Sequence, residues 1–353
     1  MAGIKRVTMQ DIADACGLSR NTVSKIFNGR GAVPEVTREL VLSKAQELGY
    51  HQLGDPEPLS SQKSGGNIAL LTHSKPLNHN FGSLFITNFT DQICRSGFNL
   101  KMFEISGEEY RNKQLPPHFS PQEISGILAI ELFDRDYTQM VCSLGLPTLF
   151  LDSYAGAPGE LMRCDLVYME NYASSIALTQ RQIQAGAKEI GFVGDISHCS
   201  SFRERWNGYR AALDDAGLSV PRELCILADD AQPYGDVNWM AQQLSAMPHI
   251  PDGFVCANDF LAIRMMQALR KKGLSIPEDV MVTGFDGSPE ASVITPPLTT
   301  AEIPSAAIGR MSADMLLERI GTPDLPYRCS FVKTTPIWRD SVRPPVQPNE
   351  FTF

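Results

Sequence analysis

The sequence predicts an N-terminal all-α helix-turn-helix headpiece followed by an α/β body of two doubly wound parallel-sheet subdomains. Three observations carry this reading. Residues 8 to 28 hold two short apolar patterns of helical period, separated by Gly17. From Asn67 onward, apolar runs of strand length alternate with helical stretches, as parallel α/β units do. Within that body the pattern repeats at offsets of 120, 127 and 134 residues.

In the head, Ile12, Ala13, Leu18, Val23 and Ile26 form the apolar pattern. Thr8 precedes the first helix and Asp11 follows three residues later, a capping-box spacing. Ser19 stands where its hydroxyl can accept from an early N–H of the second helix. Gly17 supplies the left-handed conformation of the turn, and Ala13 is small where the helices cross. Arg20, Asn21, Ser24 and Lys25 project away from the Val23/Ile26 side. Arg and Lys donate to guanine acceptors and Asn pairs with adenine through two bonds, so this face suits a major groove.

A third helix is predicted at residues 34 to 48, with Pro34 at its start, a stripe of Val36, Leu40, Val41 and Leu48, and Gly49 at its end. Residues 51 to 66 read as linker, holding two Pro, three Gly and three Ser. The predicted domains are therefore a headpiece at 1–52, a hinge at 53–66, a body at 67–342 and a tail at 343–353.

In the body, strands are expected at 67–72, 99–103, 125–130, 147–151, 189–193, 224–227, 253–256 and 279–284. Helices are expected at 81–96, 171–186, 203–217, 236–247, 258–273 and 304–320. SGFNLKMF matches AGLSVPRELCIL, SGILAI matches DGFVCA, and LPTLFLD ending in Asp152 matches IPEDVMVTGFD ending in Asp286. Two halves of one pattern enclose a cleft beyond the carboxyl ends of their strands, and both aspartates fall at such ends.

Composition narrows the function. Residues 1 to 52 carry seven Lys or Arg against five acids, so a net +2 head precedes a body that holds −11 of the overall −9. A small basic head can meet phosphates while the acidic body repels them, which disfavours a general nucleic-acid coat protein. No apolar run approaches the ~20 residues of a membrane span, and MAGIKRVTM lacks a signal-peptide core. A cytoplasmic protein without membrane contact is expected. The eight cysteines show no C-x-x-C and read as small buried apolar residues; no metal or cofactor is expected.

The stretch VTMQDIADACGLSRNTVSKIFNG through VPEVTRELVLSKAQELGY resembles the headpiece of the lactose-repressor/galactose-repressor family. Residues 67 to 342 resemble that family's periplasmic-binding-protein-like effector domain. The resemblance implies base-reading roles for Arg20, Asn21 and Lys25, and backbone contacts for Thr8, Ser19, Thr22, Ser24 and Asn28. It also implies a hinge helix that folds on DNA and inserts Leu59 into the minor groove. Pro56 and Pro58 fill that segment and the usual asparagine and alanine are absent, so a flexible tether is the other reading.

Implied effector residues are Arg205, Asn258 and Asp286, with Asp152 and Phe81 beside them; neighbouring Asp259 reads as a structural cap. Where family members stack an aromatic residue on the ligand this chain has Asp230, unless Pro233 or Tyr234 replaces it through a shifted loop. His198 and Arg203 near Arg205 add charge, so a sugar, a sugar derivative or another polar effector is expected.

No phosphate-binding glycine loop, G-x-S-x-G or H-E-x-x-H occurs, so an enzyme is not expected. The sequence thus predicts a homodimeric, ligand-responsive DNA-binding regulator, most simply a repressor, on a near-palindromic operator. The alternative is a sugar-sensing binding protein whose head no longer regulates genes.

Overall fold

The structure is a computed structural model and describes residues 7–27, 34–48, 65–73, 80–156 and 162–346. The chain forms two compact units, Met1–Lys63 and Ser64–Phe353. Asn28, Leu59 and nearly all of the 53–66 hinge lie outside the described residues.

The first unit holds α1 (Met9–Cys16), α2 (Arg20–Phe27) and α3 (Glu35–Leu48). Ile12, Ala13, Val23, Ile26, Val41 and Ala45 make its core. The expected α3 stripe is only partly right. Leu40 and Leu48 are exposed, whereas Ala45 is buried one turn after Val41. Leu40 is rotated about 100° from Val41, and Leu48 is the last residue of the helix.

The second unit opens with β1 (Gly66–Thr72), α4 (Asn80–Arg95), β2 (Phe98–Glu104), α5 (Gly107–Asn112), β3 (Ile124–Ile130), α6 (Arg135–Ser143), β4 (Thr148–Leu151) and β5 (Asp165–Met169). It continues with α7 (Tyr172–Gln184), β6 (Ile190–Val193), α8 (Ser200–Asp215), α9 (Val237–Ala246), β7 (Gly253–Cys256), α10 (Asp259–Lys271), β8 (Met281–Thr283) and α11 (Pro289–Val293). The last elements are β9 (Thr300–Glu302), α12 (Ser305–Gly321), β10 (Cys329–Val332) and β11 (Thr335–Ile337).

The first lobe is a six-stranded parallel sheet in the order β10-β5-β4-β3-β1-β2. Alternate strand residues feed two cores. Ile68, Leu70, Leu128 and Leu149 point toward α4 and α12, whereas Ala69, Leu71, Ile127 and Phe150 meet Tyr137 of α6. Strand β1 has its neighbours β2 and β3 on opposite sides, so the topological switch lies there, at the carboxyl ends. Helix α12 approaches α4 closely at Gly309, where a Cβ would lie 2.4 Å from the Phe85 carbonyl.

The second lobe repeats that order. Strands β6-β7-β8 are parallel, Ile226 bridges to Val193 on the far side of β6, and Thr299 bridges to Thr283 beyond β8. The expected strand at 224–227 is thus reduced to a single bridge. Pro221 starts a tight turn at Arg222–Leu224 and leaves too little extended chain for a ladder. Strands β5, β9, β10 and β11 escaped the sequence reading because they are short and polar at one end or interrupted by proline. Gly66 begins β1, and residues 343 to 346 pack on the second lobe through Arg343 to the Glu278 carbonyl and Val346 to that of Gln184.

Among the described residues the chain passes between lobes three times, at residues 170 to 171, 303 to 305 and 333 to 334. Thr334 ties two of these passages, donating to the Glu170 carbonyl at 2.7 Å and lying 2.8 Å from Ser174 Oγ. Strand β11 pairs antiparallel with β9 beside them. No helix among the described residues is long and apolar enough to cross a membrane.

Candidate nucleic-acid interface and ligand cleft

The head is locally determined. The Thr8 amide donates to Asp11 Oδ2 at 2.7 Å, and the Asp11 amide donates back to Thr8 Oγ1 at 3.4 Å. Gly17 adopts φ 65°, and the Leu18 amide donates to the Ala13 carbonyl, turning the chain into the next helix. Ser19 accepts from the Thr22 amide at 3.1 Å, as its cap position requires. Burial of Val23 and Ile26 then fixes the rotation of α2, leaving Arg20, Asn21 and Lys25 exposed on the other side and Thr22 and Ser24 half-buried. Thr8 and Ser19 are exposed as well.

In the body, α8 crosses tightly over α7 at Gly208, where a Cβ would lie 2.4 Å from the Tyr172 carbonyl. The crossing seats the Arg205 carbonyl 2.6 Å from Ser175 Oγ and buries the Arg205 side chain at the junction of the lobes. Its Nε donates to Asn171 Oδ1 at 2.9 Å, and its Nη1 donates to the Ala257 carbonyl at 2.6 Å. Nη1 also lies 3.4 Å from Asp286 Oδ1, and the guanidinium sits 3.8 Å from the Phe285 ring centre. Arg205 keeps only 4% of its side-chain surface, whereas Asp286 keeps 28%, so the carboxylate is the reachable end of the pair.

Three further carboxyls surround this one guanidinium. Asp152, in the first lobe, has its pKa raised by burial despite hydrogen bonds from Ser201 and the Ser153 amide and the nearby Arg205 charge. Glu204, which accepts from Asn171 Nδ2 at 2.8 Å, is raised by burial too. Asp286 is raised chiefly by burial and also by Asp259, with Arg205 opposing. Asp259 is buried and accepts from Thr300 Oγ1 at 2.6 Å and the Ser288 amide at 2.7 Å; it cross-links loops rather than facing the cleft.

Of the expected effector residues, Asp152, Arg205 and Asp286 come together. Asn258 is the N-cap of α10, its Oδ1 accepting from the Leu261 amide at 2.9 Å, directly after the Ala257 carbonyl that Arg205 holds. Phe81 lies in the first turn of α4, and its side chain lies outside the described ones. Tyr234 does not replace the missing aromatic residue: it is buried, its hydroxyl bonded to the Ala228 carbonyl and its ring against Trp239. Asp230 instead holds His198 at 3.3 Å, and that ring meets Phe133 of the first lobe edge-on at 4.8 Å. Arg203 is exposed.

Asn171, Ser201, Glu204 and Phe133 were absent from the sequence reading. Asn171 lies two residues beyond β5, a strand that reading missed, so nothing marked it as following a strand end. Glu204 sits next to Arg205, and only the helix rotation shows that it faces the same cluster.

A three-helix head with an exposed polar second helix, ahead of a two-lobed α/β body with a charged junction, defines a class of modular binding protein. Residues 8–52 match the lacI family of bacterial regulatory proteins, and residues 179–342 match the periplasmic binding protein-like domain. The HTH-type transcriptional regulator CelR of Thermobifida fusca is 28% identical over 321 residues, 90% of this chain and 92% of that protein. The ribose operon repressor of Escherichia coli (strain K12) is 28% identical over 320 residues, 90% and 94% of the two chains. A solved CelR–cellobiose complex superposes with a TM-score of 0.70 at 27% identity, covering 95% of this chain and 100% of that one. The chain thus carries a lacI-family regulatory head and a periplasmic-binding-protein-like body.

Proposed function

We propose that this chain is a cytoplasmic DNA-binding transcriptional repressor that binds a near-palindromic operator as a homodimer and answers to a small polyhydroxylated effector held between the lobes of its body. The observation that carries the reading is the exposed α2 face of Arg20, Asn21 and Lys25, set by the burial of Val23 and Ile26. These residue types match base-edge donors and acceptors, and Thr8, Ser19, Thr22, Ser24 and Asn28 supply phosphate partners around them. Leu59 in the 53–66 hinge is the proposed minor-groove wedge. Relatives named as operon repressors and transcriptional regulators support the same reading.

In the body, Arg205, Asp286, Asp152 and Asn258 are the proposed effector contacts, with Phe81 at the mouth. Carboxyls outnumber the single buried guanidinium there. Such a site accepts hydroxyl donors and repels an acidic or phosphorylated sugar, so the effector is a neutral sugar. A difference in affinity between two lobe orientations then couples to operator binding by about 1–3 kcal/mol.

The test is a footprint of the purified chain on DNA upstream of its own gene, with and without neutral sugars, sugar acids and sugar phosphates. Protection of one discrete segment, altered only by a neutral sugar, is expected. Failure to protect any segment under all conditions overturns the repressor reading. A response to an acid or phosphate alone overturns the effector assignment.

A further inference from the structure

We propose that Phe133 and His198 form a clasp across the mouth of the cleft, a contact that parts before a small molecule enters or leaves. On the reading of this cleft as the effector site, these two residues control access to it. Strand β5 runs into the passage at 170 to 171, where Asn171 meets Arg205. One strand further out, Ser153 follows β4, and its carbonyl accepts from the Ser200 amide of α8 at 2.8 Å. One strand further again, Phe133 follows β3 and meets His198 edge-on, with ring centres 4.8 Å apart. Neighbouring strands lie about 4.8 Å apart, so this outer contact stands roughly 10 Å from the passage. Flexing about the passage moves the outermost contact furthest, and that contact therefore decides whether the mouth is shut.

Both ends of the clasp are held in place. Phe133 stands between buried Leu132 and Asp134, the N-cap of α6. The Asp134 amide donates to the Tyr110 hydroxyl at 2.7 Å, and its carboxylate pairs with Lys113 at 2.5 Å. On the other lobe, buried Asp195 accepts from the Ser197 amide at 2.8 Å and from the Asp230 amide at 3.0 Å. Its carbonyl takes the His198 amide at 3.2 Å. One residue thus fixes His198 relative to Asp230, whose carboxylate lies 3.3 Å from the imidazole Nδ1. His198 keeps 29% of its side-chain surface and Phe133 is half-buried, so parting the rings uncovers little apolar area. The closure is weak and reversible, as a point of entry must be.

Cys199 reports on the clasp. It is the N-cap of α8, flanked by His198 and Ser200, 3% exposed, with its Sγ accepting from the Phe202 amide at 3.5 Å. Cys164 and Cys256 are buried in the cores of the first and second lobes and serve as references for unfolding. The full chain, with no sugar added, is treated with iodoacetamide under native conditions, and the rate at each thiol is read by peptide mass spectrometry. Phe133→Leu is expected to speed alkylation of Cys199 about 2- to 12-fold, the worth of one edge-on ring pair, with Cys164 and Cys256 unchanged. Phe133→Tyr should restore the original rate. Asp230→Asn, which frees the imidazole and removes neither ring, should also speed Cys199. An unchanged Cys199 rate in Phe133→Leu overturns the proposal. Acceleration in Phe133→Leu with none in Asp230→Asn makes the phenyl ring a local cover for the thiol and overturns it too. Equal acceleration of all three thiols, a loosening of the whole body, does the same. Since no sugar enters the assay, its failure leaves the effector site itself to the footprint described above.

Discussion

Asp152 and Asp286 occupy equivalent corners of the two lobes. Each follows a strand, β4 or β8, each has a positive φ (62° and 123°), and each backbone amide donates to the next strand, at Val167 and Ala301. The 134-residue offset in the sequence is therefore a structural duplication, and it delivers one carboxylate from each lobe to the surroundings of Arg205.

For Asp286→Asn, operator binding is expected to persist while the sugar response is lost, because the amide keeps the shape but not the charge opposite Arg205. Isothermal titration of sugar beside a gel shift of the same preparation separates the two. Retained sugar affinity places the effector elsewhere.

Arg205→Ala removes the partner of the Asn171 oxygen, the Ala257 carbonyl and Asp286 at once. The buried Asn171 oxygen and Ala257 carbonyl then lose their donor, at about 1–3 kcal/mol each, so the body should melt earlier. Chemical denaturation of the variant reads this directly, and a loss below 1 kcal/mol, a factor of about 5, contradicts the buried network.

Arg20→Ala and Lys25→Ala are expected to weaken binding to the true operator roughly 5- to 150-fold and to random duplex far less. Equal losses on both duplexes would make these residues phosphate contacts only.

Stability should fall as pH rises. Asp152, Glu204, Asp259 and Asp286 all have raised pKa values, chiefly from burial. The folded body thus binds protons more tightly than the unfolded chain above the ordinary carboxylate range. Each raised group stabilises the fold below its unfolded pKa, and that contribution is lost as pH passes through the raised value. Thermal melts from about pH 5 to about pH 8 should show a declining midpoint, and Asp286→Asn should flatten the decline. An identical slope in the variant would exclude Asp286 as a contributor.

Gly208→Ala should loosen the α7–α8 crossing, since its Cβ would lie 2.4 Å from a backbone carbonyl that cannot turn aside. Overpacking costs about 1–3 kcal/mol, and sugar affinity should drop with it because Arg205 rides on the same helix. Melting and titration of one sample check both effects.

What the sequence conveyed well was local. Thr8, Asp11, Gly17 and Ser19 each announce their role through capping or turn chemistry, and the structure realises all four. Long apolar strands such as β1 and β3 were equally plain. What stayed hidden depends on distant parts of the chain. Leu40 looks like core until its rotation about the α3 axis is known. Tyr234 resembles a ligand platform until its hydroxyl is found bonded inside the second lobe. Asn171 could not be singled out, since its importance comes from an arginine 34 positions later.

Three passages of chain join the lobes, with Thr334 lashing two of them together. A body held by one strand could swivel in any direction, but triple suspension suppresses twist and slide and leaves flexing about one axis as the cheap deformation. Whatever occupies the cleft therefore selects a position along a single path, and the body behaves as a gauge with one needle.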